Sequence, residues 1–369
     1  MKIGIITYWG AQTNYGQVLQ CYALQKFLRM KGHVVFVIRY DREKDILPNS
    51  FFQKISKFLN PLIIVSYFFK QLEQKKINKD ISLHNRSFDD FRKKYINQSA
   101  KSYKSFFELK ENPPKADLYI TGSDQVWNYW NIPLKRYKNV LHSFFLDFGD
   151  AKIKRIAYAA SWGITHLPMD YTKAINPLIK NFDYISVREK SGIALCNQCG
   201  RESAEWVCDA TLLLCANGYR NLYKENNVEL PKKKYLFLYL LSAVSNSTLK
   251  SIYRFAERKK CSVIYVSGNN LTDHQEKIYA TIPQWLNLID NAEYVITNSY
   301  HGAVFSIIFN TRFCVLPFKR NEKERNERFD SLFQLAEIKE RYLYKKDFSI
   351  LEEDFSPKQI DPPFFMTNL

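Results

Sequence analysis

Residues 2–38, KIGIITYWGAQTNYGQVLQCYALQKFLRMKGHVVFVI, decide the fold. Lys2–Thr7 reads as a short apolar strand, and a loop rich in Gly, Asn and Gln follows it. Val18, Leu19, Cys21, Tyr22, Leu24 and Leu28 then recur at helical spacing up to Gly32, and His33–Ile38 resumes as a strand. This is a β-α-β unit, the building block of a parallel sheet with helices on its faces. The loop between the first strand and its helix lies at the carboxyl edge of that sheet, where open α/β sheets bind ligands.

The same alternation continues downstream. Asp117–Thr121, Arg155–Ser161 and Tyr184–Val187 read as strands, each followed by a polar loop, and carry a first domain over residues 1–215. The turn-rich stretch CANGYRNLYKENNVELPKKK, starting at Cys215, predicts a linker over 216–234. A second domain over 235–345 is expected from strands at Tyr235–Leu241, Ser262–Val266, Tyr294–Thr297 and Arg312–Leu316. Helices at Ser247–Lys259, Pro283–Asn291 and His301–Phe309 would separate them. A tail, 346–369, is expected to pack back on the first domain. The predicted class is therefore α/β, two Rossmann-like domains facing across a cleft, the GT-B-like arrangement, which by itself does not define a chemistry.

Composition sets the outer bounds. The chain of 369 residues is 46% hydrophobic and 15% aromatic, enough to fill two cores and to exclude intrinsic disorder. Lys and Arg number 54 against 37 Asp and Glu, a net charge of +17 that attracts anions: nucleic acid, acidic membrane, or phosphorylated and carboxylated small molecules. Nearly half of the excess falls in residues 51–110, which hold thirteen basic against five acidic residues and show no clear parallel-sheet strand, so a basic helical insertion is expected there. Within it, Phe51–Phe69 reads as an aromatic-rich helix with Lys54, Lys57 and Lys70 beside it. It suits either a membrane interface with anionic lipids or packing on its own domain with a solvated basic face. No apolar run of eighteen residues occurs and the amino terminus has no signal-peptide core. The seven cysteines read as reduced thiols of a cytoplasmic protein. Cys196 and Cys199 form a CxxC with Cys208 and Cys215 downstream, but the spacing fits no common zinc pattern, so no metal is expected.

Several residues stand where chemistry is done. His301 follows the strand EYVIT at the start of a buried helix, where exposed N–H groups bind anions and a histidine can shuttle protons; a satisfied core histidine is the alternative. Arg188 ends the strand YISV and offers a planar fork to carboxylate or phosphate, against the ordinary reading of an arginine paired with Glu189. Lys319, Arg325 and Arg328 belong to a mixed charge run that is either a solvated loop or a cationic cover for a ligand. The turn TGSDQVWN combines Ser123 and Asp124 with Trp127, the parts of a sugar site, or else a capped turn with Trp127 in the core.

Taken in order, TYWGAQTNYGQVLQCYAL, TGSDQVWN, AYAASWG, ISVREKSG, WVCDATLLL, TNSYHGAVFSIIF and ERFDSLF resemble the polysaccharide pyruvyl transferase family, from residue 3 to about residue 340. The resemblance implies transfer of pyruvate from phosphoenolpyruvate to a sugar as a cyclic ketal, in bacterial surface (capsular) polysaccharide assembly, with no metal or organic cofactor. It implies that His301 acts in acid/base chemistry and that Arg188 holds phosphoenolpyruvate; Ser299, His301 and Gly302, at the helix start, are expected to line the same phosphoenolpyruvate site. Asn14 and Gly16 match the amino-terminal motif, which with Tyr15, Gln17, Ser123, Asp124 and Trp127 would meet the acceptor. Two positions depart from the family. Gln17 stands where better-known members have an acid, which leaves Asp124 as the expected base. Ser299 stands where they have an arginine, so Arg325, Arg328 or Lys319 is expected to replace that cation. The basic patch and the aromatic-rich helix predict a lipid-diphosphate-linked sugar as acceptor, and the resemblance makes galactose bridged at O4 and O6 the first candidate. It would be met peripherally on the inner face of the cytoplasmic membrane, and nucleic acid is the least expected partner. A nucleotide-sugar glycosyltransferase and a non-catalytic module for anionic glycans are the rival readings.

Overall fold

The computed structural model describes residues 1–47, 72, 75, 78–80, 82–229, 231–268, 275–318, 323–344, 346–353, 355–360, 363 and 366, with backbone alone at 323–325. Among them are two sheets. The first has seven strands in the order β3-β2-β1-β4-β5-β6-β7, where β1 is Lys2–Ile6, β2 Val34–Tyr40, β3 Gln98–Tyr103, β4 Leu118–Gly122, β5 Lys154–Ala160, β6 Tyr184–Val187 and β7 Glu205–Trp206. The second has four, β11-β10-β8-β9, with β8 Tyr235–Leu240, β9 Ser262–Ser267, β10 Tyr294–Thr297 and β11 Phe313–Val315. Every strand pair is parallel.

The local reasons are visible in the sequence. β8 (YLFLYL) is buried along its whole length, as a parallel strand covered on both faces must be. The helix Tyr15–Met30 is capped by Asn14, whose side chain accepts from Gln17 N at 3.3 Å. The helix Tyr300–Phe309 is almost wholly buried, and it stops where Asn310 turns left-handed at φ 56°.

Three expectations are corrected. QSAKSY at 98–103 is a strand, β3, at the edge of the first sheet; an edge strand with one wet face carries no apolar run. The stretch taken for a linker opens as a helix, Ala216–Glu225, whose Tyr219 and Leu222 are buried. The described start of the tail packs on the second half: Phe348 stacks on Phe255 of the helix Asn246–Arg258 with ring centroids 4.6 Å apart.

The two halves share a core. Tyr15, on the first helix, stacks on Trp285 of the second half at 5.1 Å and 7°, and its hydroxyl donates to the Ala280 carbonyl at 2.7 Å. Elsewhere on the boundary, Lys190 N donates to Ser331 Oγ and Ser191 N to Glu327 Oε1, both at 3.1 Å. Burial raises the pKa of the Glu327 carboxyl.

Candidate active site

In the first sheet, β1 lies between β2 and β4, so the chain's crossovers diverge on either side of the β1–β4 gap. Such a switch point leaves a crevice at the strands' carboxyl ends. A cavity of about 570 Å³ occupies it, walled by Thr7, Tyr8 and Trp9 after β1, Asn14 and Gln17 of the following helix, Asp124 and Gln125 after β4, and Arg42 and Trp130. Tyr8 organises one wall: its hydroxyl accepts from Arg42 Nη1 at 2.6 Å and from Trp130 Nε1 at 3.1 Å, while the Arg42 guanidinium lies over its ring at 4.4 Å. Trp130 is 44% exposed and adopts φ 54°, a left-handed conformation that bulky residues avoid. On the floor, Gln17 Nε2 donates to Asp124 Oδ2 at 3.2 Å.

Directly beneath is a buried charge cluster built by Arg188, Glu189, Asp209 and His301. Arg188, 2% exposed, donates from Nη1 to the Ser123 carbonyl at 2.8 Å and to Asp209 Oδ2 at 3.0 Å, and from Nε to Glu189 Oε1 at 3.2 Å. Its Nη2 has no hydrogen-bond partner among the described residues. Asp209 Oδ2 also accepts from Ser123 Oγ at 3.1 Å, and Oδ1 accepts from Thr211 N at 2.9 Å and Thr211 Oγ1 at 2.6 Å. His301 Nε2 stands 3.6 Å from Asp209 Oδ2, an ionic approach longer than a hydrogen bond, and is itself buried and unpartnered. Two guanidinium groups lie over the Tyr300 ring, Arg188 at 4.5 Å and Arg328 at 5.8 Å from its centroid.

The electrostatics follow from this packing. Burial alone would raise the Asp209 pKa, but His301, followed by Arg188, overrides it and holds the carboxyl well below the usual range. Burial works against charge on Arg188 too, and is outweighed by Glu189, Tyr300 and Asp209. The Tyr300 phenol is pushed well above its ordinary value, chiefly by burial.

Cavity and cluster meet at two pairs of consecutive residues. Gly16 packs on His301 so closely that a Cβ there would lie 2.0–2.4 Å from the imidazole and its Cβ, while Gln17 faces the cavity. Ser123, in the left-handed region at φ 56°, bonds Asp209 and Arg188, while Asp124 faces the cavity.

The residues named from sequence are distributed as follows. His301, Arg188, Ser123 and Gly16 are in the cluster or against it, and Asn14, Gln17 and Asp124 line the cavity. Ser299 caps the His301 helix by accepting from Gly302 N at 3.3 Å, so its side chain is committed to the fold; Gly302 packs on Thr297, where a Cβ would approach Oγ1 to 2.6 Å. Arg328 reaches Tyr300, whereas Lys319, the side chain of Arg325 and the segment Phe51–Phe69 lie outside the described residues. Tyr15 faces the second half and is no part of the cavity wall. Trp127 is a correction: it is 3% exposed and stacked on Phe145 at 4.9 Å, so it lies in the core, and the tryptophans at the cavity are Trp9 and Trp130. Cys196, Cys199 and Cys208 are separate, buried free thiols, with burial pushing each up to about 12. Among the described residues no group of three or more His, Cys, Asp or Glu could hold a metal, and no helix is long and apolar enough to cross a membrane. Asp209 was not singled out by sequence, although a lone acid in the otherwise apolar run WVCDATLLL was its signal.

Two parallel-sheet halves with a crevice at the carboxyl edge define a GT-B protein. The same fold is seen in the UDP-GlcNAc 2-epimerase of Methanocaldococcus jannaschii, solved with UDP-GlcNAc and UDP, at 15% identity and a TM-score of 0.53, covering 100% of this chain and 97% of that one. A Listeria monocytogenes protein assigned as a UDP-N-acetylglucosamine 2-epimerase matches at 11% identity and a TM-score of 0.51, over 100% and 94% of the two chains. These likenesses establish fold alone. No curated protein matches the chain by sequence. The polysaccharide pyruvyl transferase profile matches residues 14–319, from the cap of the first helix past β11, and the chain belongs to that family.

Proposed function

We propose that this pyruvyl transferase moves pyruvate from phosphoenolpyruvate to a sugar of a lipid-diphosphate-linked precursor, closing a cyclic ketal and releasing phosphate. The observation that carries the reading is the adjacency of two unlike environments: a polar, aromatic-walled cavity suited to a sugar and a buried Arg–Asp–His cluster suited to an anion. Sugars stack an apolar ring face on tryptophan and spend hydroxyls on carboxylates and amides, and Trp130, Asp124 and Gln17 offer these groups. Phosphoenolpyruvate needs fixed cations and helix amino ends; Arg188, Arg328 and the start of the Tyr300–Phe309 helix supply them.

In the reaction, one sugar hydroxyl adds to C2 of the enol as a proton reaches C3. Phosphate then leaves, and the second hydroxyl attacks the oxocarbenium and loses its proton. His301 is the acid in this scheme, because its Nε2 is committed to no hydrogen bond and Asp209 faces any charge it carries. Asp124 is the base: it stands at the cavity where family members place an acid at position 17, and the Gln17 side-chain amide holds it by donating one hydrogen bond to Oδ2. Arg188 steadies carboxylate or phosphate charge with Nη2. Galactose bridged at O4 and O6 is the first acceptor to test, and the enzyme would work at the inner face of the cytoplasmic membrane. The experiment is phosphate release from phosphoenolpyruvate in the presence of lipid-linked galactosides, with His301→Ala as control. Release by the variant at the wild-type rate removes His301 from the scheme.

A further inference from the structure

The segments AYAASWG and ISVREKSG meet at the carboxyl ends of β5 and β6, and each brings a buried polar side chain toward Arg188: Ser161 from the first, Glu189 from the second. Glu189 Oε1 accepts from Ser161 Oγ and, at 3.2 Å, from Arg188 Nε, while its buried Oε2 has no hydrogen-bond partner among the described residues. Ser161 is fixed in turn by its own backbone. Its N–H donates to the Asp124 carbonyl at 3.0 Å, and its carbonyl accepts from Trp127 N at 3.2 Å.

A carboxylate withdrawn from water needs a compensating role. Neutralising Arg188 does not require this one, because Asp209 already bonds the same guanidinium at Nη1. Direction is what Glu189 adds. Held at Nη1 alone, by Asp209 and the Ser123 carbonyl, a guanidinium can still tilt about that edge. A second acceptor at Nε, with the Tyr300 ring 4.5 Å from the guanidinium carbon, fixes the plane. The nitrogen left to donate is then Nη2, and its aim is set by the groups on the other two. Ser161 extends this frame to the acceptor cavity: its side chain holds Glu189 and its backbone holds the turn of Asp124, so Nη2 and the cavity acid keep one register.

We propose that Ser161 and Glu189 are positioning residues, which fix the guanidinium plane of Arg188 so that Nη2 is presented to the carboxylate or phosphate of phosphoenolpyruvate. The proposal rests on the role given to Arg188 above.

The test is calorimetric titration of the full chain with phosphoenolpyruvate and inorganic phosphate, for the wild type, Glu189→Gln, Glu189→Asp and Ser161→Ala. Glutamine keeps the length and an oxygen for Ser161 and Arg188, and its NH₂ falls where Oε2 bonds nothing. Aspartate keeps the charge and draws the oxygens back by a methylene. A positioning role therefore predicts that Glu189→Asp binds phosphoenolpyruvate about tenfold more weakly than Glu189→Gln, the loss of one charged hydrogen bond. Ser161→Ala, which leaves the Arg188–Glu189 bond in place, should weaken binding about threefold. Both losses should vanish in an Arg188→Lys background, since they act through the guanidinium. Circular dichroism reports the fold separately; should Glu189→Asp not fold, the Ser161→Ala loss and its disappearance with Arg188→Lys decide the matter alone. Equal affinities in the Asp and Gln variants, the reverse order, or losses that persist with Arg188→Lys overturn the positioning role. Phosphate release from phosphoenolpyruvate separates this from the wider reading. Release by the wild type with Asp and Gln variants binding alike removes only the positioning role; Glu189-dependent binding without release by any acceptor removes only the proposed reaction. No binding of either probe by the wild type at millimolar concentration overturns both.

Discussion

Asp209→Asn keeps the shape of a buried side chain and removes its charge. All groups that touch the two carboxylate oxygens are donors: Thr211 N and Oγ1 on Oδ1, Ser123 Oγ and Arg188 Nη1 on Oδ2, with His301 Nε2 close by. An amide must turn its NH₂ toward one of these sets; the hydroxyls can rotate to accept from it but Thr211 N and Arg188 Nη1 cannot, so one of those two loses its bond, and Arg188 keeps Glu189 as its bonded counterion. Removing one partner of a buried ion pair costs about 3–5 kcal/mol, a large fraction of the roughly 5–15 kcal/mol that holds a folded domain together. The urea midpoint of the variant should fall accordingly. The pH dependence carries a second signature. Because the Asp209 pKa is depressed in the fold, its contribution is fully present above the ordinary carboxyl value of about 4 and is lost as pH falls below that. The variant should therefore lose less stability than the wild type on acidification through that range. Catalysis should suffer as well, by about tenfold to a hundredfold in kcat, since His301 loses the carboxylate that faces it. A variant with wild-type midpoint, wild-type acid limb and wild-type kcat would show that the cluster is not bonded as described.

Gly16→Ala should uncouple the halves at the site: with a Cβ 2.0 Å from the imidazole the histidine must move, and kcat should drop by about a hundredfold. Circular dichroism that stays native alongside that loss would confirm the effect as local, and undiminished kcat would contradict the packing. Trp130→Ala should raise the acceptor KM by about tenfold while leaving the phosphoenolpyruvate KM in place, the value of one aromatic stacking contact; initial-rate kinetics in both substrates give the answer, and an unchanged acceptor KM would remove Trp130 as a platform. Tyr15→Ala should destabilise the chain by about 3–5 kcal/mol, as for any large aromatic truncated in a core, because its ring is stacked on Trp285. Thermal unfolding at wild-type temperature would place the boundary between the halves elsewhere.

How far the sequence reaches depends on how local the determinant is. The β-α-β unit at the amino terminus is legible because period and capping lie within forty residues, and the strand at Tyr294–Thr297 coincides with the expected one for the same reason. β3 is not, since QSAKSY buries only Ser99 and Tyr103 and reads as loop until β2 is placed beside it. His301 is legible as the start of a buried helix. Asp209 is not, because its role comes from Arg188 and His301, distant in sequence and joined only by folding. Trp127 and Trp130 belong to one turn, and only the backbone reversal at Trp130 and Asn131, both left-handed, decides which ring faces the cavity.

The central claim is the transfer itself. Incubation with phosphoenolpyruvate and lipid-diphosphate-linked galactosides, followed by mass spectrometry of the acceptor, should show the increment of a pyruvate ketal, with phosphate released in equal amount. An acceptor of unchanged mass and no phosphate from phosphoenolpyruvate, with UDP released instead from a UDP-sugar, would contradict it.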